Sequence, residues 1–362
     1  MTVQLICAGY AKSGTTMMHK MFEDHSPITV PWAKKEIKHF LEDRTDKPEA
    51  YFHQFNKTGE PMTTFEASPQ YLTAMPLDVA TDILKRIKAT LPNPKLVICL
   101  RHPLYRAFSH YVHNLQFFSR FGDRHNRPRA EDARFKKLYQ RSFFDAMALE
   151  ENIGTRYFQK CLRAVEIFGA ENVNMFFLEY HTAQAPVVSA SLSAMLELDT
   201  PMAWDSFDRV YEGARFPAYH LAVNEPLEIK VGKKTSAIPK NSAYIACDVE
   251  NLLVRNLNKA KLQRLRRSEN RWTRGLSQDV VESVYNRSFR EDFERTLELA
   301  ESISNDMNLM PFYKSLPLTA KTVRKATPKP IAFKRLTQQK TKRADGKPVP
   351  KKDQLASEPS AN

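Results

Sequence analysis

The chain has 362 residues, 42% of them hydrophobic, enough for one large α/β domain or two smaller ones. Its net charge of +14 is uneven: from Leu318 onward 12 Lys/Arg face 3 Asp/Glu, leaving 43 against 38 in residues 1–317. The four cysteines (Cys7, Cys99, Cys161, Cys247) form no metal-binding or disulfide pattern, no apolar run approaches the roughly 20 residues of a membrane helix, and no signal peptide is visible, so a reducing, cytoplasmic setting is expected.

Short apolar runs alternate with helical patterns, the mark of a parallel sheet with crossover helices. "VQLICA" (3–8) predicts the first strand, the stretch GYAKSGTT (9–16) a loop, and "TTMMHKMFEDH" (15–25) a helix. "ITV" and part of "KEIKHF" read as extended, "TTFEAS" (63–68) as a weaker strand, and residues 76–90 as a helix ending near Pro92. "KLVICL" (95–100) is a buried strand, and Pro103 suits the first turn of the helix carrying Tyr105, Phe108, Tyr111, Val112 and Leu115. A helix over about 154–169 precedes a strand centred in "ENVNMFFLEY". Beyond residue 185 the pattern predicts mainly helix, broken by a lysine-rich loop at "KVGKKTSAIPKN" (230–241), with a basic helix over 255–274. From residue 318 the tail has five prolines, many lysines and few large apolar residues; it cannot offset its chain entropy and is expected to be disordered. The fold class is therefore α/β, one P-loop-like domain over 1–317 with a central parallel sheet, a mainly helical C-terminal half and a basic tail over 318–362.

A strand–loop–helix junction suits a phosphate, because backbone N–H groups and the helix dipole converge there. Gly9 and Gly14 have the spacing of the nucleoside-triphosphate loop, but Thr15 stands where that loop has lysine, and the cation, Lys12, lies inside the loop. "CLRHPLYRAFSHY" then places Arg101 at the carboxyl end of a buried strand and Ser109 on the following helix. Open α/β sheets bind ligands beyond such strand ends. A nucleoside-triphosphatase wants a carboxylate there to help hold Mg²⁺; this chain has a cation. The bland alternatives are a glycine turn capped by Ser13, a surface ion pair for Arg101 and a helix-face hydroxyl for Ser109.

These motifs resemble those of the sulfotransferases that use 3′-phosphoadenosine 5′-phosphosulfate (PAPS). Their 5′-phosphosulfate loop looks like AGYAKSGTT, and their 3′-phosphate element, R-x-P-x-x-R-x-x-S-x-Y, matches at Arg101, Pro103, Arg106, Ser109 and Tyr111. "KKEIKHF" (34–40) is similar to the K-E-x-x-F-F segment of the heparan-type branch and its bacterial relatives, and "FEASPQYL" (65–72) to its E-K-S-x-x-Y-F. "FGAENVNMFFLEY" matches a later strand ending in Leu-Glu. The resemblance covers roughly residues 1–180, with echoes to about 313. Ala67 departs from it, standing where that branch commonly has lysine.

The resemblance implies a metal-free transfer of a sulfuryl group from PAPS to a hydroxyl or, as second choice, an amine, with a carbohydrate or small hydroxylated molecule as acceptor. Glu36 is then the general base, expected to have a raised pKa, with His39 as rival, and Lys12 stabilises the bridging oxygen. Ser13, Gly14, Thr15 and Thr16 hold the 5′-phosphosulfate with Lys12, and Arg101 and Ser109 hold the 3′-phosphate. Lys233 and Lys234 in "VGKKTSAIPK" belong to a loop that closes over the cofactor, with an exposed turn as the alternative. Basic segments at 120–137 and 255–274 suit an anionic acceptor or are solvated faces. Two other classes stay open: a P-loop kinase or other NTPase, and a non-catalytic polyanion binder using the tail. The tail's one aromatic, Phe333, argues against sequence-specific nucleic-acid reading. Acceptor and oligomeric state are left open by these motifs.

Overall fold

A computed structural model describes residues 2–25, 28–43, 47–73, 75–119, 156–207, 219–223, 227–231, 234–238, 243–246, 253–254, 260–264, 277–304 and 307–316. Four parallel strands form the central sheet in the order β2-β1-β3-β4: β1 Gln4–Gly9, β2 Thr64–Ala67, β3 Pro94–Leu100 and β4 Val173–Phe177. Helices α1 Thr15–His25, α2 Pro48–Phe52, α3 Leu77–Thr90, α4 Pro103–Ser119, α5 Phe158–Phe168, α6 Leu178–His181 and α7 Ala185–Met195 accompany it. α8 Gln278–Ser288, α9 Arg290–Ile303 and α10 Leu309–Ser315 follow later in the chain.

β1 and β3 are buried along their whole length because both faces of the sheet are covered. The pleat sorts their side chains in alternation. Ile6, Ala8, Leu96, Ile98 and Leu100 enter one apolar cluster with α3, α5 and α9; Leu5, Cys7, Val97 and Cys99 enter the other with α1 and α7. Each large aliphatic side chain removed from water in this way stabilises the fold by about 1.5–3 kcal/mol. Cys7, Cys99 and Cys161 are buried free thiols, as expected; Cys247 lies outside the described residues.

Because the strands are parallel, all four carboxyl ends open on one edge. That edge brings together Gly9, Ser68, Arg101 and Glu179, which leave β1, β2, β3 and β4 respectively. From β1 the chain crosses to β2 on one side and then returns past β1 to β3 on the other, the reversal of strand order at which such sheets take ligands.

The mainly helical pattern expected after residue 185 is met among the described residues, with one local exception. Helices still hold more of the described residues than strands, but residues 219–264 contain six strands. β5 Tyr219–Val223, β8 Ala243–Ala246 and β10 Ala260–Arg264 form one antiparallel sheet; β6 Leu227–Val231, β7 Lys234–Ile238 and β9 Leu253–Val254 form another. "LEIKV" alternates apolar and polar residues, a period of two that fits a strand. β6 and β7 pair from Leu227↔Ile238 to Val231↔Lys234, so the predicted lysine-rich loop is largely a hairpin. Likewise the predicted basic helix over 255–274 contains β10, paired with β5. "ITV" supplies only a bridge, Thr29 to Thr64.

The chain divides into two units, Met1–Pro330 and Ile331–Asn362. The tail from residue 318 and the basic segment 120–137 lie outside the described residues.

Candidate functional site

The loop between β1 and α1 is held both by its neighbours and by a turn of its own. Tyr10 N–H donates to the Cys99 carbonyl at 2.6 Å, Ala11 N–H to Thr73 Oγ1 at 2.8 Å, and Ser13 N–H to the Tyr10 carbonyl at 3.1 Å. Gly14 has φ +93°, a conformation that favours glycine, and a Cβ there would lie 2.9 Å from Leu178 Cδ1. Lys12 is also left-handed, with φ 71°. The helix that follows starts at Thr15, whose side chain is buried, while Thr16 is exposed.

Ser13 carries the most telling atom. Its Oγ is buried and has no hydrogen-bond partner within the protein, at the mouth of a helix N-terminus. A buried hydroxyl without a partner costs free energy, and an anion in the loop would remove that cost. Two cations face the same place. Arg101 Nη1 donates to the Lys12 carbonyl at 3.5 Å. Burial first, and then the Arg101 charge, push the Lys12 amine down to about 8. A buried hydroxyl without a partner at a helix N-terminus, with Lys12 and Arg101 nearby, suits an anion, and a phosphosulfate fits these residues.

Arg101 is also ion-paired: its Nε donates to Glu179 Oε1 at 3.1 Å. The other Glu179 oxygen accepts from the His102 backbone N–H at 3.0 Å and the Tyr313 hydroxyl at 3.1 Å. The Tyr157 hydroxyl donates to the Arg101 carbonyl at 3.0 Å. So the ion-pair alternative is realised, but as a buttress: Glu179 orients the guanidinium from behind while leaving it beside the loop.

Arg106, the second arginine of the motif, braces the loop. Fully buried, it donates from Nε to the Ala11 carbonyl at 3.1 Å and lies over the Tyr10 ring at 5.7 Å. Ser109 follows three residues later on α4, hence on the same helix face, half-buried. The next residue, His110, is neutral at physiological pH: burial, then Arg106, His113 and Lys12 depress its pKa. This face of α4 thus looks toward the loop.

On the other side of β1, the segment 34–38 has no regular structure and turns into a 3-10 helix at His39–Leu41. Glu36 is partly exposed, 3.4 Å from Lys35 Nζ and 3.6 Å from Lys38 Nζ, and accepts from Gln70 Nε2 at 2.5 Å. Burial alone would raise its pKa, but Lys35, the Gln70 hydrogen bond and Lys38 together outweigh burial and lower it. The expected rise is corrected: two flanking lysines hold this carboxyl ionised. His39 is buried, edge-on to Phe40 at 4.9 Å and to Tyr51 at 5.6 Å. Lys35, read in the sequence only as part of a charged cluster, sends its field to His19 on α1, Glu66 on β2 and Cys99 on β3. Ala67, where a lysine was missing from the motif, is fully buried in the core.

The structure thus gathers Lys12, Ser13, Gly14, Thr15 and Arg101 at one crevice and places Ser109 on the facing helix. Lys234 begins β7, and Lys233 lies outside the described residues. Among the described residues, no group of three or more His, Cys, Asp or Glu is arranged to hold a metal ion, and no helix is long and apolar enough to cross a membrane.

Residues 4–160 match the model of the sulfotransferase family. The membrane-associated sulfotransferase kil1 of Dictyostelium discoideum is 30% identical over 118 residues, which are 32% of this chain and 24% of that protein. The matched stretch thus spans about a quarter of the length of that curated relative. A sulfotransferase from Alicyclobacillus acidocaldarius superposes with a TM-score of 0.39 at 21% identity, over 57% of this chain and 86% of that one. The sulfotransferase domain of the Synechococcus olefin synthase gives 0.32 at 14% identity, over 55% and 74%. Over residues 4–160, less than half of its length, the chain is thus similar to a sulfotransferase family.

Proposed function

We propose that the protein transfers the sulfuryl group of PAPS to a hydroxyl, with an amine as second choice, on a carbohydrate or small hydroxylated acceptor. The observation that carries this reading is the buried, unpartnered Ser13 Oγ between Lys12 and the start of α1, with Arg101 alongside. When bound, PAPS would supply an activated sulfuryl group on a phosphate leaving group.

The chain's own residues do the rest. Ser13, Thr15 and the first N–H groups of α1 hold the 5′ end, with Thr16 at the exposed rim. Lys12 places its ammonium where charge develops on the leaving oxygen, a stabilisation made largest in the transition state. Arg101, braced by Glu179, and Ser109 on the facing helix hold the 3′-phosphate, and Lys233 and Lys234 are assigned to closure over the nucleotide. Glu36 takes the acceptor's proton. Its lowered pKa keeps it ionised and ready, and His39, wedged among aromatic rings, is less well placed for that work. We assign the protein to the cytoplasm on its buried free thiols, and treat residues 318–362 as a basic tail outside the catalytic domain 1–317.

The NTPase reading loses support because the carboxylate nearest Arg101, Glu179, already accepts from Arg101, the His102 N–H and Tyr313. The test is turnover of labelled PAPS in EDTA against saccharides, phenols, steroids and amines. A labelled product from one acceptor class supports the proposal. ATP hydrolysis that needs Mg²⁺, with no sulfuryl transfer to any acceptor, would replace it.

A further inference from the structure

The 34–38 segment carries Glu36 and three lysines without a regular hydrogen-bond ladder, and Lys38 sits left-handed at φ 59°, ψ 26°. A conformation that side chains disfavour persists only where its surroundings hold it. What holds it here lies on the turn after β2. Lys38 N–H donates to Ser68 Oγ at 3.2 Å, and Phe40 N–H donates to the Tyr71 hydroxyl at 3.4 Å. Gln70, between them in sequence, donates to the Glu36 carboxylate.

A hydroxyl that accepts from a backbone N–H still has its own proton to place. Both do so on the same group. Ser68 Oγ donates to Glu66 Oε2 at 3.2 Å, and the Tyr71 hydroxyl donates to Glu66 Oε1 at 3.1 Å. Glu66 is fully buried in the middle of β2, on the face that meets Tyr71 and the Phe40–Tyr51 aromatic cluster. A carboxyl is expensive there, and an apolar residue would serve the core better. We infer that Glu66 is a positioning residue: its two oxygens orient Ser68 and Tyr71, which clamp the backbone on either side of His39 and so aim Glu36 at the acceptor. Burial raises Glu66 to about 8, against the pull of Tyr71, Ser68 and Lys35. Glutamine keeps the shape but only one accepting oxygen, so it should hold one of the two hydroxyls and release the other.

The inference rests on the reading of Glu36 as the base, and the experiment keeps the two apart. Amide hydrogen exchange at Lys38 and Phe40, nucleotide affinity by calorimetry, and kcat are measured on the full-length protein. Glu66→Met should speed exchange at both amides and lower kcat about 10²-fold, the scale of a displacement of ~1 Å, without changing affinity for adenosine 3′,5′-bisphosphate. Glu66→Gln should keep exchange slow at one of the two amides and hold kcat clearly above that of Glu66→Met, a partial rescue that a merely space-filling role would not give. Tyr71→Phe should release only the Phe40 amide and Ser68→Ala only the Lys38 amide, which keeps the test valid should Glu66→Met fail to fold. Unchanged exchange in Tyr71→Phe and Ser68→Ala, or a Glu66→Gln no better than Glu66→Met, overturns the inference. A silent Glu36→Gln instead overturns the base assignment, and with it the purpose given to the clamp, whatever the exchange data show.

Discussion

Arg101 and Glu179 form an ion pair at 3.1 Å between the ends of the adjacent strands β3 and β4, and the same glutamate also holds the His102 backbone N–H. A guanidinium fixed in this way has paid part of its ordering cost before any ligand arrives. Adenosine 3′,5′-bisphosphate should therefore bind far more tightly than AMP. Arg101→Ala should remove most of that preference, and Glu179→Gln should reduce it by roughly 1–2 kcal/mol while sparing AMP, as loss of a charged hydrogen bond does. Calorimetry with both nucleotides checks this; equal affinities in the parent protein refute the role of Arg101.

Lys12 stands at the expense of stability. Its folded pKa of about 8 lies below the ordinary 10.5, so the folded state carries an ionisation penalty below pH 8 that is relieved as pH rises from 8 toward 10.5. Lys12→Met should thus raise the melting temperature at pH 7 and leave it little changed near pH 10. Turnover should move the other way, falling on the order of 10²–10³-fold at pH 7. In the parent, turnover should fade as pH climbs through the Lys12 pKa in the nucleotide complex. Thermal melts at the two pH values and a pH–rate profile test both halves.

Gly14→Ala tests the loop's geometry. At φ +93° an alanine is strained whatever the space, by about 1–2 kcal/mol, and its Cβ would press on Leu178. Nucleotide affinity should fall sharply while the melting temperature drops by only a few degrees. A variant that binds nucleotide normally would show that the turn does not shape the site.

For Glu36, replacement by glutamine keeps size and the Gln70 contact but cannot take a proton. kcat should fall about 10²–10⁴-fold with nucleotide affinity unchanged. Because Lys35, Gln70 and Lys38 hold its pKa below the usual 4.5, the acid limb of kcat/KM should lie below that value rather than near neutrality. An acid limb near pH 6.5, together with loss of activity in His39→Ala, would transfer the role to His39.

Much of this was determined by local pattern. β1, β3 and β4 are short apolar runs with turn residues after them, and α1, α3 and α4 carry helical spacing, so their order and type follow from the chain alone. The loop and Arg101 were legible for the same reason: each sits directly after a buried strand, and parallel strands must end on one edge. The strands within residues 219–264 were missed because strands that pair across 15 or more residues, as β5 with β8 or β10 does, leave little local trace. Only the tertiary structure decided the electrostatics. Glu36 lies between two lysines and a glutamine from a distant turn, and Glu66 is shut away from water; one pKa falls and the other rises, though both are glutamates in polar-looking sequence. Desolvation and the field of neighbours depend on which surfaces close over a group, and those surfaces come from parts of the chain 30 or more residues apart, such as Gln70 against Glu36.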